Sequence, residues 1–408
     1  MRSTGSLPLI KEMNRSLILE TIRTKSPISR AQIAKHTGLH PSTVTRIVAS
    51  LLEDGIIEEK GMHDQPKVVG RQPIMLSLVA DSMHVVGVAV EITSATGLIV
   101  NLHGEVVERE EQIWESTGKD DIVQGIKSII DRLMEKGRGR GVKILGVGIG
   151  MHGMVDHARG VCLYAPAFGW KDAPISDLLS PHYDFPIRVE NNANTMALGE
   201  YWFGQSNVAS LAAVKVGHAI GSGIILNESL FVGEAFSAGE IGHFTVAFDG
   251  PLCNCGNHGC LETVASIDAI VRQGRRMLRD GVTSELLHLT GTNLDALDFS
   301  HICQGAALGD QLSLQLFADA GSHIGVAVAN LINMLNPRKV LIGGEIFAAL
   351  DFILPKIREV VDVRALAIPR AKVEIEPVGL GRDAVAIGAV TLILRDVFGH
   401  PRPGKTME

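Results

Sequence analysis

The sequence predicts an α/β protein in which a small winged helix-turn-helix module precedes two larger α/β lobes that face a cleft. Three observations point to this. The 408 residues carry a net charge of −7, yet residues 1–72 hold 11 Lys and Arg against 7 Asp and Glu, a local +4 that leaves −11 for the remainder. That basic stretch reads as three short helices and a strand pair, and beyond residue 80 β-rich runs alternate with helical ones. A chain of this length exceeds what one hydrophobic core supports, so two or three units are expected.

In the basic segment Leu17, Ile18 and Ile22 recur at helical spacing. Ser29 followed three residues later by Gln32 is a capping-box signature, which starts a second helix near Arg30 that stops at Gly38. Leu39 and His40 complete a short turn before Pro41, which suits a first helical position, or Ser42, which can cap a third helix running to about Glu53. There Val44, Ile47, Val48, Leu51 and Leu52 form an inward stripe. Ser42, Thr43, Thr45 and Arg46 are left where such motifs touch base edges and phosphates. After Gly55 come Ile56, Ile57, a turn-rich stretch to Gly70 and the run 74–78, together a two-stranded wing with Arg71 placed to enter a minor groove. This unit, residues 1–80, is expected to fold around its own small core, and a dimer would set two recognition helices on a palindromic operator.

Residues 85–90, 97–102, 106–113 and 144–149 read as strands around a helical stretch at 122–134. They place a first lobe at residues 81–200, with residues 381–408 returning to it. A second lobe, 201–380, holds strands at 211–216, 223–226 and 339–342 and a long helical region from Ser266 onward. No stretch approaches the roughly 18 uninterrupted apolar residues of a membrane span, and residues 1–10 lack the apolar run of a signal peptide, so a cytoplasmic address is expected.

The five cysteines are odd in number and three are crowded, which suits a metal site in a reducing compartment. His243, Cys253, Cys255 and Cys260 read H-x9-C-x-C-x4-C, with Gly256 and Gly259 inside the last loop. Three thiolates and an imidazole make a closed tetrahedral zinc site with no position free for water. Such a metal orders a loop and performs no hydrolysis.

The runs Gly148-Ile-Gly-Met-His-Gly153, Val189-Glu-Asn-Asn-Ala-Asn194, Glu240-Ile-Gly-His243 and Cys253-Asn-Cys-Gly-Asn-His-Gly-Cys260-Leu-Glu262 resemble the ROK family of repressors and sugar kinases. The resemblance is to its repressor branch, of the xylose-repressor, Mlc and NagC type. It implies an actin-like, ribonuclease H-like sugar-kinase fold behind the winged module. It also implies that Glu240, His243 and Glu262 hold sugar hydroxyls, with Asn191 and Asn192 in the same pocket beside Gly153, and that His243 serves zinc with one ring nitrogen and the sugar with the other.

The departures from the kinases argue for a sensor without phosphotransfer. Where the kinases carry Asp-x-Gly-Gly-Thr this chain has Ala89-Val90-Glu91-Ile92-Thr93, which sets a carboxylate where backbone should approach a phosphate. The loop Gly217-His-Ala-Ile-Gly221-Ser-Gly223 keeps glycines but lacks the Thr. Asn192 replaces the Asp that takes the sugar hydroxyl's proton, and an amide cannot do that. His152 and Ala167 also depart, at positions around the pocket. No catalytic residue is therefore assigned and the chain is read as a non-enzyme. The resemblance implies a repressor of carbohydrate-utilisation genes that answers to a sugar or sugar phosphate and forms a homodimer or dimer of dimers, with a protein regulator as a further expected partner. The competing readings are a ROK kinase with an appended DNA-binding domain, which needs the missing Asp and Gly-Gly-Thr, and a zinc-stabilised scaffold.

Overall fold

A computed structural model describes residues 7–60, 73–204 and 208–399; Arg71 lies outside them. In the N-terminal module α1 (Leu7–Lys25) is followed by β1 (Ile28–Ser29) and α2 (Arg30–Thr37). The capping box forms as the spacing demands: the Gln32 amide donates to Ser29 Oγ at 3.3 Å and the Ser29 amide to Gln32 Oε1 at 2.9 Å. Gly38, at φ 69°, closes α2 in the left-handed conformation. In α3 (Pro41–Glu53) the N-cap is His40, whose Nδ1 accepts the Ser42 amide at 3.3 Å. Pro41 brings no N–H and a helical φ, so it takes the first helical position and Ser42 falls inside the helix. The strands β2 (Ile57–Lys60) and β3 (Met75–Leu78) pair antiparallel, and β1 joins β3 as a third strand. Two residues are too few to show a period of two, which is why the sequence reading has only two strands.

The first lobe carries β4 (His84–Val90), β5 (Ser94–Asn101), β6 (Val106–Ile113), α4 (Lys119–Gly139) and β7 (Ile144–Met151). A small sheet of β8 (Met154–Asp156), β9 (Val161–Ala165) and β10 (Trp170–Ala173) follows, then α5 (Ile175–Leu179), β11 (Ile187–Asn191) and α6 (Asn192–Trp202). Its main sheet has the order β11-β7-β4-β5-β6. The second lobe contains β12 (Leu211–Val216), β13 (Ile220–Leu226), β14 (Ser229–Leu230), α7 (Leu261–Ala265), α8 (Ile267–Arg279), α9 (Leu286–Leu289), α10 (Phe299–Ala307) and α11 (Gln311–Leu335). It is completed by β15 (Lys339–Gly343), α12 (Leu350–Arg364), α13 (Ala367–Arg370) and β16 (Glu374–Pro377). Its sheet, β14-β13-β12-β15-β16, repeats the pattern of the first: a three-stranded antiparallel meander with two strands added in parallel.

The stretch after Ser266 is not one long helix. Ser266, Asp298 and Asp310 each accept a backbone amide three residues on and so begin separate helices. The long one is α11, apolar enough by length and composition to cross a membrane but packed along α12 in the core of the second lobe.

The last helix, α14 (Ala384–Phe398), packs on the first lobe, against α6, β7 and β4. Its approach to α6 is so close that a Cβ on Gly388 would stand 1.8 Å from the Thr195 carbonyl oxygen. The winged module lies on this same surface. Ile18, Leu19 and Ile22 of α1 share one continuous buried cluster with Leu198 and Trp202 of α6 and with Ile393 and Phe398 of α14. The expectation of a separate small core is therefore corrected: α1 packs on α2, α3 and β3 within the module and on α14 outside it, so the module's core is continuous with that of the first lobe. Arg23 seals this junction. Its guanidinium sits 4.1 Å from the Trp202 ring centroid, Nη1 donates to the Trp202 carbonyl at 3.1 Å, and Glu20 accepts from Nε and Nη2 at 2.8 and 2.7 Å.

Candidate functional site: an interlobe pocket, a metal knuckle and a DNA-facing helix

On α3, Val44, Ile47, Val48 and Leu51 are buried and Leu52 is half-buried. Ser42, Thr45 and Arg46 are exposed and Thr43 is half-buried. Thr45 Oγ1 donates back to the Pro41 carbonyl at 2.9 Å, and Ser42 Oγ lies 2.8 Å from His40 Nδ1. Both hydroxyls are partly engaged within the helix, whereas Arg46 has no bonded partner among the described residues.

Between the lobes is a cavity of about 240 Å³. Both lobes deliver its polar groups, among them those at the end of β7, the β11–α6 junction, β12, the turn from β12 to β13, the short turn at Ile241–His243, α7 and α8. Asn191 ends β11 and caps α6, its Oδ1 accepting the Ala193 and Asn194 amides at 2.8 and 3.1 Å while Nδ2 donates to the Gly153 carbonyl at 2.8 Å. Asn191 thus has a positioning part as well as its place on the wall. Asn192 Nδ2 donates to Glu91 Oε2 at 2.9 Å. Glu240, His243 and Glu262 stand together on the second-lobe wall, and burial raises both carboxyls above their ordinary range. His152 packs edge-on against Phe168 with ring centroids 5.5 Å apart, and its Nε2 has no protein partner. Burial, helped by the charge of Lys215, lowers its pKa to about 4, so the ring is neutral and keeps one acceptor nitrogen.

Sequence reasoning missed the group at the inner end. Lys215, 3% exposed, projects from β12 with Nζ 2.7 Å from Glu91 Oε2 and 3.4 Å from Glu345 Oε2. Burial disfavours its charged form, but the two carboxylates outweigh that and its pKa rises. Burial pushes Glu91 up, with Lys215 pulling against it. The available signal was a lone charge inside the buried run Leu211-Ala-Ala-Val-Lys215-Val216; such a residue is tolerated only with carboxylate partners, here one from each lobe.

The four residues His243, Cys253, Cys255 and Cys260 come together with their ligand atoms within 4.8 Å of one another. Cys253 Sγ lies 3.6 Å from His243 Nδ1, and Cys255 Sγ 3.7 Å from Cys260 Sγ. Metal–sulfur bonds of about 2.3 Å at tetrahedral angles give ligand separations of about 3.8 Å, so the cluster can hold a metal ion. The loop is folded tightly by backbone bonds such as Cys253 N to Asn257 O at 2.8 Å and Gly259 N to Pro251 O at 2.9 Å. At Gly259, φ 65°, a Cβ would fall 1.5 Å from the Ala247 carbonyl oxygen, so no other residue fits.

A winged helix-turn-helix docked on a two-lobed sugar-kinase scaffold defines a class: DNA-binding regulators built on a kinase fold. Residues 85–396 match the ROK family and residues 14–58 a winged helix-turn-helix DNA-binding family. The chain belongs to the ROK family. It is 31% identical over 399 residues to a protein named the xylose repressor of Caldicellulosiruptor bescii, covering 97% of this chain and 99% of the relative. Among solved structures it resembles a ROK family transcriptional regulator described as a homologue of the Escherichia coli Mlc protein, with TM-score 0.79 and 26% identity over 96% of this chain and 100% of the other. A ROK family glucokinase from Streptomyces griseus, solved with glucose and AMPPNP, covers 76% of this chain and 98% of its own, with TM-score 0.68 and 28% identity. It has no counterpart to the remaining quarter of this chain.

Proposed function

We propose that the protein is a sugar-responsive, DNA-binding transcriptional repressor of carbohydrate-utilisation genes, acting in the cytoplasm as a homodimer, with zinc at the His243, Cys253, Cys255 and Cys260 knuckle. The observation that carries this reading is one chain joining a DNA-facing helix to a kinase-type pocket whose phosphate-binding elements are closed by its own side chains. Glu240, Glu262, His243, Asn192 and His152 offer hydroxyl-binding groups; the Asn192 amide is no general base, and the Glu91 carboxylate is taken up by Lys215 and the Asn192 amide. When bound, zinc supplies a charge that fixes its ligands. His243 then keeps one tautomer, with Nδ1 toward the metal and Nε2 left for the pocket. The route from pocket to DNA is α6: its 11 residues, about 16 Å of helix, begin at the Asn191 cap and end at Trp202 under Arg23.

Two measurements test this. Arg46→Ala is expected to weaken binding to a selected operator about tenfold, or roughly 1.4 kcal/mol, and to flatten the salt dependence by about one phosphate contact. Unchanged affinity across a salt titration would misplace the recognition helix. Purified protein given ATP, magnesium and its best-binding sugar is expected to form no sugar-dependent ADP, since general-base catalysis worth about 10²–10⁴ is absent along with the phosphate seat. Turnover that tracks the protein and disappears in Asn192→Ala would establish the kinase reading instead.

A further inference from the structure

The sugar-sensor reading leaves open whether the effector is a free sugar or its phosphate ester, and the charges around the pocket bear on that choice. We infer that the pocket selects a neutral, unphosphorylated monosaccharide, because carboxylates of the protein itself occupy the groups that would receive a phosphate. This rests on the sensor reading above and adds its effector class.

Anion-binding groups in such a cleft are of three kinds, and each is already engaged. The first is the glycine-rich turn between β12 and β13. The His218 amide donates to Glu345 Oε2 at 3.2 Å and the Ile220 amide to Glu262 Oε2 at 3.1 Å, so two backbone donors that could cradle an oxyanion hold carboxylates instead. The second is the N-terminus of α6, whose first free amides are capped by Asn191 Oδ1. The third is side-chain cation. No arginine lines the cavity among the described residues, and its single lysine, Lys215, is tied to Glu91 and Glu345. His218 Nδ1 is likewise 2.9 Å from Asp268 Oδ1.

The remaining charges on the wall are Glu240, Glu262 and Asp268. A phosphate dianion there would lose water and meet carboxylates with no arginine and no unpaired lysine on that wall among the described residues, an arrangement in which burial of charge is costly. Neutral hydroxyls fare oppositely, since each can donate to a carboxylate in a charge-assisted bond. Size agrees. A cavity of about 240 Å³ lies below the range of about 300–1,000 Å³ of drug-sized sites, which favours a small ligand. Glu91 thus acts twice: it stands where backbone would approach a phosphate, and it neutralises the one lysine that could attract one.

The test is calorimetric titration and thermal shift of the zinc-loaded full chain with D-xylose, D-glucose and N-acetyl-D-glucosamine, each beside its phosphate ester, and with inorganic phosphate. Glu91→Gln and Glu345→Gln are run in parallel. Both substitutions keep shape and leave Lys215 with one partner fewer; Glu345, the more exposed of the two, serves should the Glu91 variant fail to fold. The parent is expected to bind at least one free sugar thirtyfold or more tightly than its ester, with no shift from inorganic phosphate, and the gap is expected to narrow tenfold or more in a folded variant. An ester that binds the parent as tightly as the free sugar overturns this inference alone. So does a gap that stays unchanged in folded variants. If neither form of any sugar binds the parent, the sensor reading itself fails and this inference falls with it.

Discussion

A Cys255→Ser protein is expected to lose stoichiometric metal and to remain on its operator when sugar is added. Cys255 is the exposed member of the quartet, whereas Cys253 and Cys260 are buried, so its replacement perturbs the lobe least. The knuckle has little apolar content, and without the metal it has few ways to offset its conformational entropy. His243 supplies a ligand and faces the pocket, and Glu262 follows Cys260 by two residues on α7. Loosening there displaces two sugar-facing groups and withdraws the carboxylate that holds the Ile220 amide. Loss of an orienting metal shell is worth about 10–100-fold in function, so sugar affinity should fall by about that factor. Helix α3 belongs to the other buried cluster, with the first lobe, and should persist. Zinc content by metal analysis and operator release by fluorescence anisotropy read the two effects separately. Release of DNA at the parent's sugar concentration by a metal-free variant would remove zinc from the sensing mechanism.

Arg23→Ala is expected to leave sugar binding within about threefold of the parent yet abolish most of the sugar's effect on DNA. The guanidinium and Trp202 side chains are 15% and 6% exposed, so this cation–π contact is largely desolvated and worth about 1–2 kcal/mol, enough to set a coupling of about tenfold. Coupling between sites is reciprocal, so operator DNA should also cease to alter sugar affinity in this variant. A merely structural role would lower the melting temperature and weaken both ligands while leaving their mutual effect intact. That outcome would reject α6 as the transmitting element.

The winged module shows how far local chemistry reaches. The Ser29–Gln32 box, Gly38, Pro41 and the stripe Val44, Ile47, Val48 and Leu51 are signals contained within a few residues, and the structure forms α2 and α3 from them at nearly the expected bounds. The metal quartet was equally legible, because four ligands of the right type lie within 18 residues and the loop between them is short. Strands β4, β5 and β7 were legible from their apolar runs. What was not legible is long-range. The two-residue β1 exists only because β3 pairs with it, and the burial of α1, begun by α2, α3 and β3, is completed by α6 and α14, which arrive some 180 and 370 residues later. Glu91 read in sequence as a side chain that spoils a phosphate seat. Only the fold places Lys215 at 2.7 Å and so turns an obstruction into half of an interlobe ion pair.

The sequence by itself determined the module order, the exposed polar face of α3, the His243, Cys253, Cys255 and Cys260 quartet and the absence of the kinases' Asp at Ala89 and Asn192, since each depends on residue type and near spacing. The tertiary structure alone decided where the module docks, that Asn191 is tied to the Gly153 carbonyl across the pocket wall, and that internal carboxylates fill the anion-binding groups. Those depend on pairs far apart in the chain. Their energies come from burial and from the loss of water around charges, which no local pattern records.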